Sequence, residues 1–380
     1  MKTVGIICEY NPFHLGHARQ FRLIREVFGP ETAIVCVMSG NYVQRGEPAM
    51  WDKFTRAKAA VACGADVVLE LPITGVLQSA EGFARSGVEI LTRFGVEYLC
   101  FGAECGDADL LMELAKRMDT AEFAAALRDR LDQGLSYAAA RQAALGDEND
   151  LLSKPNNILG LEYCRVILSL GSPLIPFAIR RTGDYHAVEA DWEAPSATAV
   201  RKLFPAGNWK ACMPDAAAQV LDGAVWYEPA FGERAVLARL RGMTDAQWEA
   251  CAHGSEGLWS KAMKAARRCS TVEDLIQALK SKRYPRTRIQ RLLLCAYLGI
   301  TAADLQTPLP YSRILAFSDS GRPLIRQAKN RGELTLINPG QPPENREYYA
   351  LETRAADLFT LFAPPDFDFS CQTEQNARLF

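Results

Sequence analysis

The stretch Thr3-Val-Gly-Ile-Ile-Cys-Glu-Tyr-Asn-Pro-Phe-His-Leu-Gly-His17 decides how the rest of the chain is read. Val4 to Cys8 is a short apolar run of the kind shown by a parallel strand buried on both faces. Asn11-Pro12 favours a turn. Beyond it, Phe21, Leu23, Ile24 and Val27 are spaced for a helix packed on a sheet. A strand that feeds a helix N-terminus through a tight turn is a ready anion site, because unpaired backbone N–H groups and the helix dipole both point at the turn. Gly16 lets a nucleotide approach the backbone closely. His14 and His17, three apart, project from one face of the first turn, and an imidazole N–H can donate to phosphate oxygens. The dipole disfavours imidazolium at this end, which bound phosphate offsets. One histidine could simply cap the helix. Placement between an apolar strand and a helix favours the functional reading.

The remaining composition is that of an ordinary globular protein. The 380 residues suffice for two domains, each with a sizeable core. Hydrophobic residues make up 48% and charged residues 23%, and the net charge of −2 exerts no global pull on nucleic acid, so any such binding needs a local patch. The 11 cysteines are scattered, many of them within apolar segments, and the closest pair, Cys100 and Cys105, lacks the gap of a zinc knuckle. No metal site is expected from spacing, and reduced thiols fit a cytoplasmic protein. No signal peptide and no membrane-spanning stretch is expected.

Strand–loop–helix units follow one another. Thr32 to Met38, Asp66 to Leu71, Glu97 to Gly102 and Pro173 to Ile179 read as strands, with helices opening at Asp52, a candidate N-cap, and over Ser79 to Phe94. Such repetition predicts an α/β fold with a doubly wound parallel sheet, in which ligands bind outside the carboxyl ends of the strands. The loops Tyr10 to His17, Ser39 to Glu47, the segment after Pro72 and Gly102 to Glu104 should therefore converge. Asp107 to Gly146 reads as a helical insertion at the sheet's edge. In the helix opening at Ser153-Lys-Pro-Asn-Asn157, Asn156 and Asn157 either cap it or contact an adenine or ribose. Ser196-Ala-Thr-Ala-Val-Arg201 starts another helix, where Ser196 and Thr198 serve as caps or meet a phosphate and Arg201 can fork onto phosphate oxygens.

After Pro205 the chain reads as mainly α-helical, which predicts domains over residues 1–210 and 211–380. Lys261 to Arg291 holds ten cations against only Glu273 and Asp274. Tyr284 stands among them, a combination suited to RNA phosphates and an unstacked base, or simply to a solvated helix face. Ala363 to Phe380 reads as a tail with little structure of its own.

With these residues in hand, the chain resembles the bacterial tRNA(Met) cytidine acetate ligases of the HxGH nucleotidyltransferase superfamily. The resemblance rests on Glu9-Tyr-Asn-Pro-Phe-His-Leu-Gly-His17, Ser39-Gly-Asn-Tyr-Val-Gln-Arg-Gly-Glu-Pro48, Lys53-Phe-Thr-Arg56, Phe101-Gly-Ala-Glu-Cys-Gly-Asp107, Pro155-Asn-Asn-Ile-Leu-Gly-Leu-Glu-Tyr163, Tyr185-His186 and Ser196-Ala-Thr-Ala-Val-Arg201. It implies a Rossmann-like sheet, ATP and acetate as substrates, an acetyl-adenylate intermediate and, as acceptor, N4 of the wobble cytidine (position 34) of elongator tRNA(Met). It further implies that His14, His17 and Arg201 are catalytic, the histidines on the phosphates and Arg201, with Ser196 and Thr198, on the pyrophosphate. Gly102, Asn157 and Arg181 are implied at the adenosine end, and Thr182 within the nucleotide site. Ile7, Tyr10, Asn11, Pro12, Phe13 and Gly16 complete the implied nucleotide site, and Mg²⁺ is expected to assist. Two alternatives stand beside this: a nucleotidyltransferase adenylating a phosphorylated small molecule, and a catalytically inactive tRNA-binding relative.

Overall fold

A computed structural model describes residues 1–146, 151–181, 196–204 and 207–367. Among them lie the strands β1 (Thr3–Cys8), β2 (Ala33–Ser39), β3 (Tyr42–Val43), β4 (Glu47–Pro48), β5 (Val67–Leu71), β6 (Tyr98–Ala103), β7 (Ile175–Arg180), β8 (Ser312–Phe317) and β9 (Leu336–Ile337). Seven form one sheet in the order β7-β6-β1-β2-β5-β8-β9, while β3 and β4 make a separate hairpin. The pairs β1–β2, β2–β5, β1–β6 and β6–β7 are all parallel. From β1 the chain winds out through β2 and β5, then crosses back to β6 on the other side of β1. The strand order thus reverses between β1 and β6, and the ligand crevice of such sheets opens at that point.

Burial on both faces explains the apolar runs. Every residue of β2 is buried; Val35 and Val37 join the core on one face, Ile34, Cys36 and Met38 that on the other. Each fully buried Val or Ile contributes about 1.5–3 kcal/mol. Helix Ala80–Phe94 packs so closely on β1 that a Cβ on Gly5 would lie 2.7 Å from Leu91 Cδ2, and one on Gly87 2.6 Å from Ile7 Cδ1. Across the sheet, α1 (Leu15–Phe28) buries Phe21 and Ile24. Val27, expected on the packed face, is 58% exposed instead, and Phe28 takes the inward position, packing on Tyr98 and Phe177.

The helix α2 (Lys53–Ala62) begins where Asp52 was expected to cap it: Asp52 Oδ1 accepts from the N–H groups of Phe54 at 2.9 Å and Thr55 at 3.0 Å. It turns two cations inward. The Arg56 guanidinium donates to the carbonyls of Trp51, Glu9, Ser39 and Gly40, binding together the ends of β1 and β2. Lys53 Nζ donates to Glu70 Oε1 at 2.7 Å.

Beyond residue 210 the chain is mainly helical, but it is not confined to a body of its own. Ser312–Phe317 returns as β8, antiparallel to β5, and β9 pairs parallel with β8. Periodicity missed β8 because its inward side carries polar groups that read as surface. Ser312 donates to Glu70 O at 2.7 Å, and Arg313 Nε donates to Glu70 Oε2 at 3.0 Å. Arg313 also pairs with Glu352 at 3.5 Å, whose Oε2 accepts from Tyr311 OH at 2.6 Å. Burial alone would raise the Glu70 pKa, but Lys53 and Arg313 overcome it and hold the carboxyl below its usual range. Burial and the nearby Glu70 charge push Glu352 up.

Candidate active site

A cavity of about 240 Å³ opens at the carboxyl ends of β1 and β6. Its wall includes Ile7, Tyr10, Asn11, His14, His17, Gly102, Arg181, Ser196, Thr198 and Arg201, bringing together most of the residues singled out from the sequence. A recess of about 80 Å³ runs on past Gly16, Gly102 and Arg181.

The two histidines are held by the backbone where α1 begins. His14 is the N-cap of α1, its Nδ1 accepting from Gly16 N–H at 3.1 Å, and its own N–H donates to His17 Nδ1 at 3.2 Å. The rings stack with centroids 3.7 Å apart. The capping reading of His14 therefore holds, and the same ring lines the cavity. Because each Nδ1 is an acceptor, each neutral ring carries its proton on Nε2, at the edge away from the cap. Burial, then the Arg181 and Arg201 charges, push the His14 pKa down to about 3. Burial, then His14 and Arg181, also hold His17 well below its ordinary value. Near neutral pH the cavity thus presents two uncharged N–H donors.

Tyr10 and Phe13 support this pair. The Tyr10 ring meets His17 edge-on at 4.8 Å, and Phe13, 1% exposed, packs 5.5 Å from the His17 ring. Phe13 and the buried Pro12 are thus behind the cavity wall rather than on it. Arg201 NH1 donates to Asn11 O at 2.7 Å and NH2 to Thr198 Oγ1 at 3.2 Å, which anchors helix Ala197–Leu203 beside the histidines. Ser196 caps that helix, accepting from Ala199 N–H at 3.1 Å. Arg181 lies along Gly102, where a Cβ would stand 3.0 Å from its Cγ. Asn157 departs from expectation: it is 1% exposed, its Oδ1 accepts from Cys105 N–H at 3.0 Å and its Nδ2 donates to Leu151 O at 3.0 Å. Its amide ties the loop after β6 to the turn Leu151–Ser153, and Asn156 stands on the cavity wall. Glu104 caps this helix instead, accepting from the N–H groups of Asn156 and Asn157. Thr182, Tyr185 and His186 lie outside the described residues.

The cavity also has walls that motif reading did not select. Glu9 follows β1 directly, and its Oε1 accepts from Gln44 N–H at 2.6 Å. Gln44, Arg45 and Glu47 reach the cavity from the β3–β4 hairpin. Their position in a loop after a strand was the available signal. The hairpin is clamped to helix Arg286–Leu298: Gln290 Nε2 donates to Glu47 Oε1 at 2.6 Å. Gly46, at φ +85°, lies so close that a Cβ would be 2.6 Å from Arg291 N.

A model of the HIGH nucleotidyl transferase family matches residues 1–375. The chain belongs to this family. Two tRNA(Met) cytidine acetate ligases, from Acetivibrio thermocellus and Alkaliphilus metalliredigens, are 36% and 34% identical to it over 396 and 402 residues. Both alignments span 95% of this chain, with 95% and 94% of the respective relatives. Crystal structures of Thermotoga maritima TmcAL, apo and bound with alpha-thio ATP, match at TM-scores of 0.88 and 0.86 with 29% identity, over 96% of both chains.

This HIGH nucleotidyl transferase carries its basic stretch beside the clamp, but not in the form expected. Tyr284 is 2% exposed and donates to Glu256 O at 2.7 Å, so it offers no ring for stacking. The cations around it bury the ring: Lys261 lies 5.0 Å and Arg288 5.5 Å from its centroid. Arg286 pairs with Glu273, while Arg283 and Arg288 pair with Glu256. Lys261, Lys264, Arg267, Arg268, Lys280 and Lys282 are exposed. Among the described residues the cysteines are free thiols and no helix is long and apolar enough to cross a membrane.

Proposed function

We propose that this protein is an ATP-dependent ligase that activates acetate as acetyl-adenylate and transfers the acetyl group to N4 of cytidine 34 of elongator tRNA(Met). The observation that carries the proposal is the stacked histidine pair: two neutral imidazoles, each committed at Nδ1 and donating from Nε2, beside Arg201 at the reversal of strand order. The covalent chemistry belongs to the substrates, and the protein's part is positioning and charge stabilisation. An acetate oxygen attacks the α-phosphorus, the bond from that phosphorus to the bridging oxygen breaks, and pyrophosphate leaves. His14 and His17 donate to the phosphates as charge moves across them. Arg201, oriented by Thr198, takes the pyrophosphate end, and Gly102 and Arg181 flank the adenosine. In the second step N4 attacks the acyl carbon and AMP departs. The relatives named tRNA(Met) cytidine acetate ligase support this substrate set.

Among the described residues no group of three His, Cys, Asp or Glu side chains is placed to ligate a metal. Mg²⁺ carried on the phosphates of ATP needs no such group of side chains, and no step is assigned to the ion. The exposed cations from Lys261 to Lys282 form the surface for the tRNA.

Incubation with ATP and radiolabelled acetate, with and without tRNA, tests the proposal. The expected result is acetyl-adenylate in both mixtures and labelled tRNA in one. Adenylate without transfer would reject the RNA half, and no acetate-dependent ATP consumption would reject the ligase.

A further inference from the structure

Glu9 stands on the cavity wall away from the recess beyond Gly102 and Arg181, which it does not line. It faces the β3–β4 hairpin, on the side clamped to the basic helices. Its backbone carbonyl is gripped by Arg56, and its Oε1 accepts from Gln44 N–H at 2.6 Å, the hydrogen bond its carboxylate makes among the described residues. Arg201 links the two ends of the site, since its charge acts on both Glu9 and His14.

The acyl-transfer step of the proposed function needs a proton acceptor. The exocyclic amine of cytosine is conjugated with the ring and is a weak nucleophile; once its nitrogen bonds to the acyl carbon it becomes strongly acidic. The histidines cannot take that proton, because each Nδ1 is already accepting from a backbone N–H and each Nε2 carries its own proton. Glu47 is tied to Gln290 across the clamp. We propose that Glu9 is the catalytic base of acyl transfer and reads the acceptor by accepting a hydrogen bond from its amino group. Carboxylates pair with the N4 amine of cytosine in this way, whereas uracil presents a carbonyl oxygen that a carboxylate repels. As the N4–acyl carbon bond forms, the bond from that carbon to the phosphate oxygen breaks. AMP leaves with the electron pair, and the N4 proton passes to Glu9 and then to water. Burial pushes the Glu9 pKa up, opposed by Gln44 N–H and the charges of Arg45, Arg56 and Arg201. Among the described residues, Cys8, Tyr10 and Tyr163 line the same wall beside it.

This inference rests on the proposed function, and its test separates the two. Acetate-dependent ATP–pyrophosphate exchange reports adenylation, and single-turnover transfer from preformed acetyl-adenylate reports acylation. In Glu9→Gln, exchange is expected to persist while transfer falls by about 100-fold or more. Wild-type transfer should rise with pH through the carboxylate range, and Glu9→Gln should lose that rise. Glu9→Asp keeps a carboxylate, so it should show reduced transfer with the pH rise retained, and it carries the test if the Gln variant does not fold. Undiminished transfer in Glu9→Gln, or equal losses in exchange and transfer, would overturn the assignment. Failure of the wild-type protein to form acetyl-adenylate would remove the functional reading itself, and this inference with it.

Discussion

Arg313 Nε lies 3.0 Å from Glu70 Oε2, a contact that spans 243 residues of sequence and is sealed from solvent on both sides. Lys53 holds the other oxygen of the same carboxylate. Arg313→Ala leaves Glu70 and Glu352 facing each other without the cation between them. Breaking a buried pair from one side costs about 3–5 kcal/mol. A urea titration should show the unfolding free energy extrapolated to water fall by that amount, with the midpoint shifted to lower urea.

His17→Ala removes one Nε2–H donor and the acceptor of the His14 N–H. Loss of a preorganised donor to a developing charge typically costs about 10²–10³-fold in rate. Acetate-dependent ATP–pyrophosphate exchange should fall by that factor, while tRNA binding, measured by filter retention, stays intact.

The His14 pKa, driven to about 3 by burial and the Arg181 and Arg201 charges, has a consequence for stability. Between that value and about 6.5, the ordinary imidazole pKa, the unfolded chain holds a proton on this residue and the folded chain does not. Stability therefore declines as pH falls from about 6.5 toward 3, and His14 contributes no slope above that window. His14→Asn, which keeps a capping side chain, should flatten the decline in thermal melts. In the ligand-free wild type, ¹⁵N shifts should show both rings neutral with the proton on Nε2 at pH 7, and His14 still neutral at pH 5.

Gly46 sits at φ +85° against the Arg291 backbone. Gly46→Ala forces both a strained conformation and a clash with main chain, at a cost of more than about 1 kcal/mol. The hairpin should lift from its helix, carrying Gln44 and Arg45 with it. Acetyl transfer to tRNA should fall more than ATP–pyrophosphate exchange, and the ratio of the two rates is the measurement.

Replacing Lys261, Lys264, Arg267 and Arg268 together by Ala tests the RNA surface. Each phosphate contact contributes roughly 0.7–0.9 to the slope of log affinity against log salt. The variant should bind tRNA more weakly, with a shallower slope, and catalyse ATP–pyrophosphate exchange at the wild-type rate.

The parallel strands were legible because burial on both faces leaves an unbroken apolar run, as in Ala33–Ser39. The histidine pair was legible because a strand end and a helix start bracket it. Ser312–Phe317 was hidden for the opposite reason: it enters the sheet carrying Ser312 and Arg313, and the distant Glu70 and Glu352 make those residues fit indoors. Asn157 and Tyr284 show a second limit. Residue type marked Asn157 as a hydrogen-bonding group and Tyr284 as a ring for stacking, but the partner is set by packing, and each is engaged with a nearby backbone group. Glu9 stood within the quoted motif, yet only the placement of the β3–β4 hairpin opposite it gives its carboxylate a role.

The antiparallel strand that covers β5 also governs how this polypeptide is born. During synthesis β5 emerges early, and its outer edge stays open while some two hundred and forty further residues leave the ribosome. An unsatisfied edge is a template for illicit pairing between nascent chains. A fragment stopped at the apparent end of the nucleotide-binding half would carry that sticky flank permanently, so splitting the gene there should yield aggregates rather than a working module.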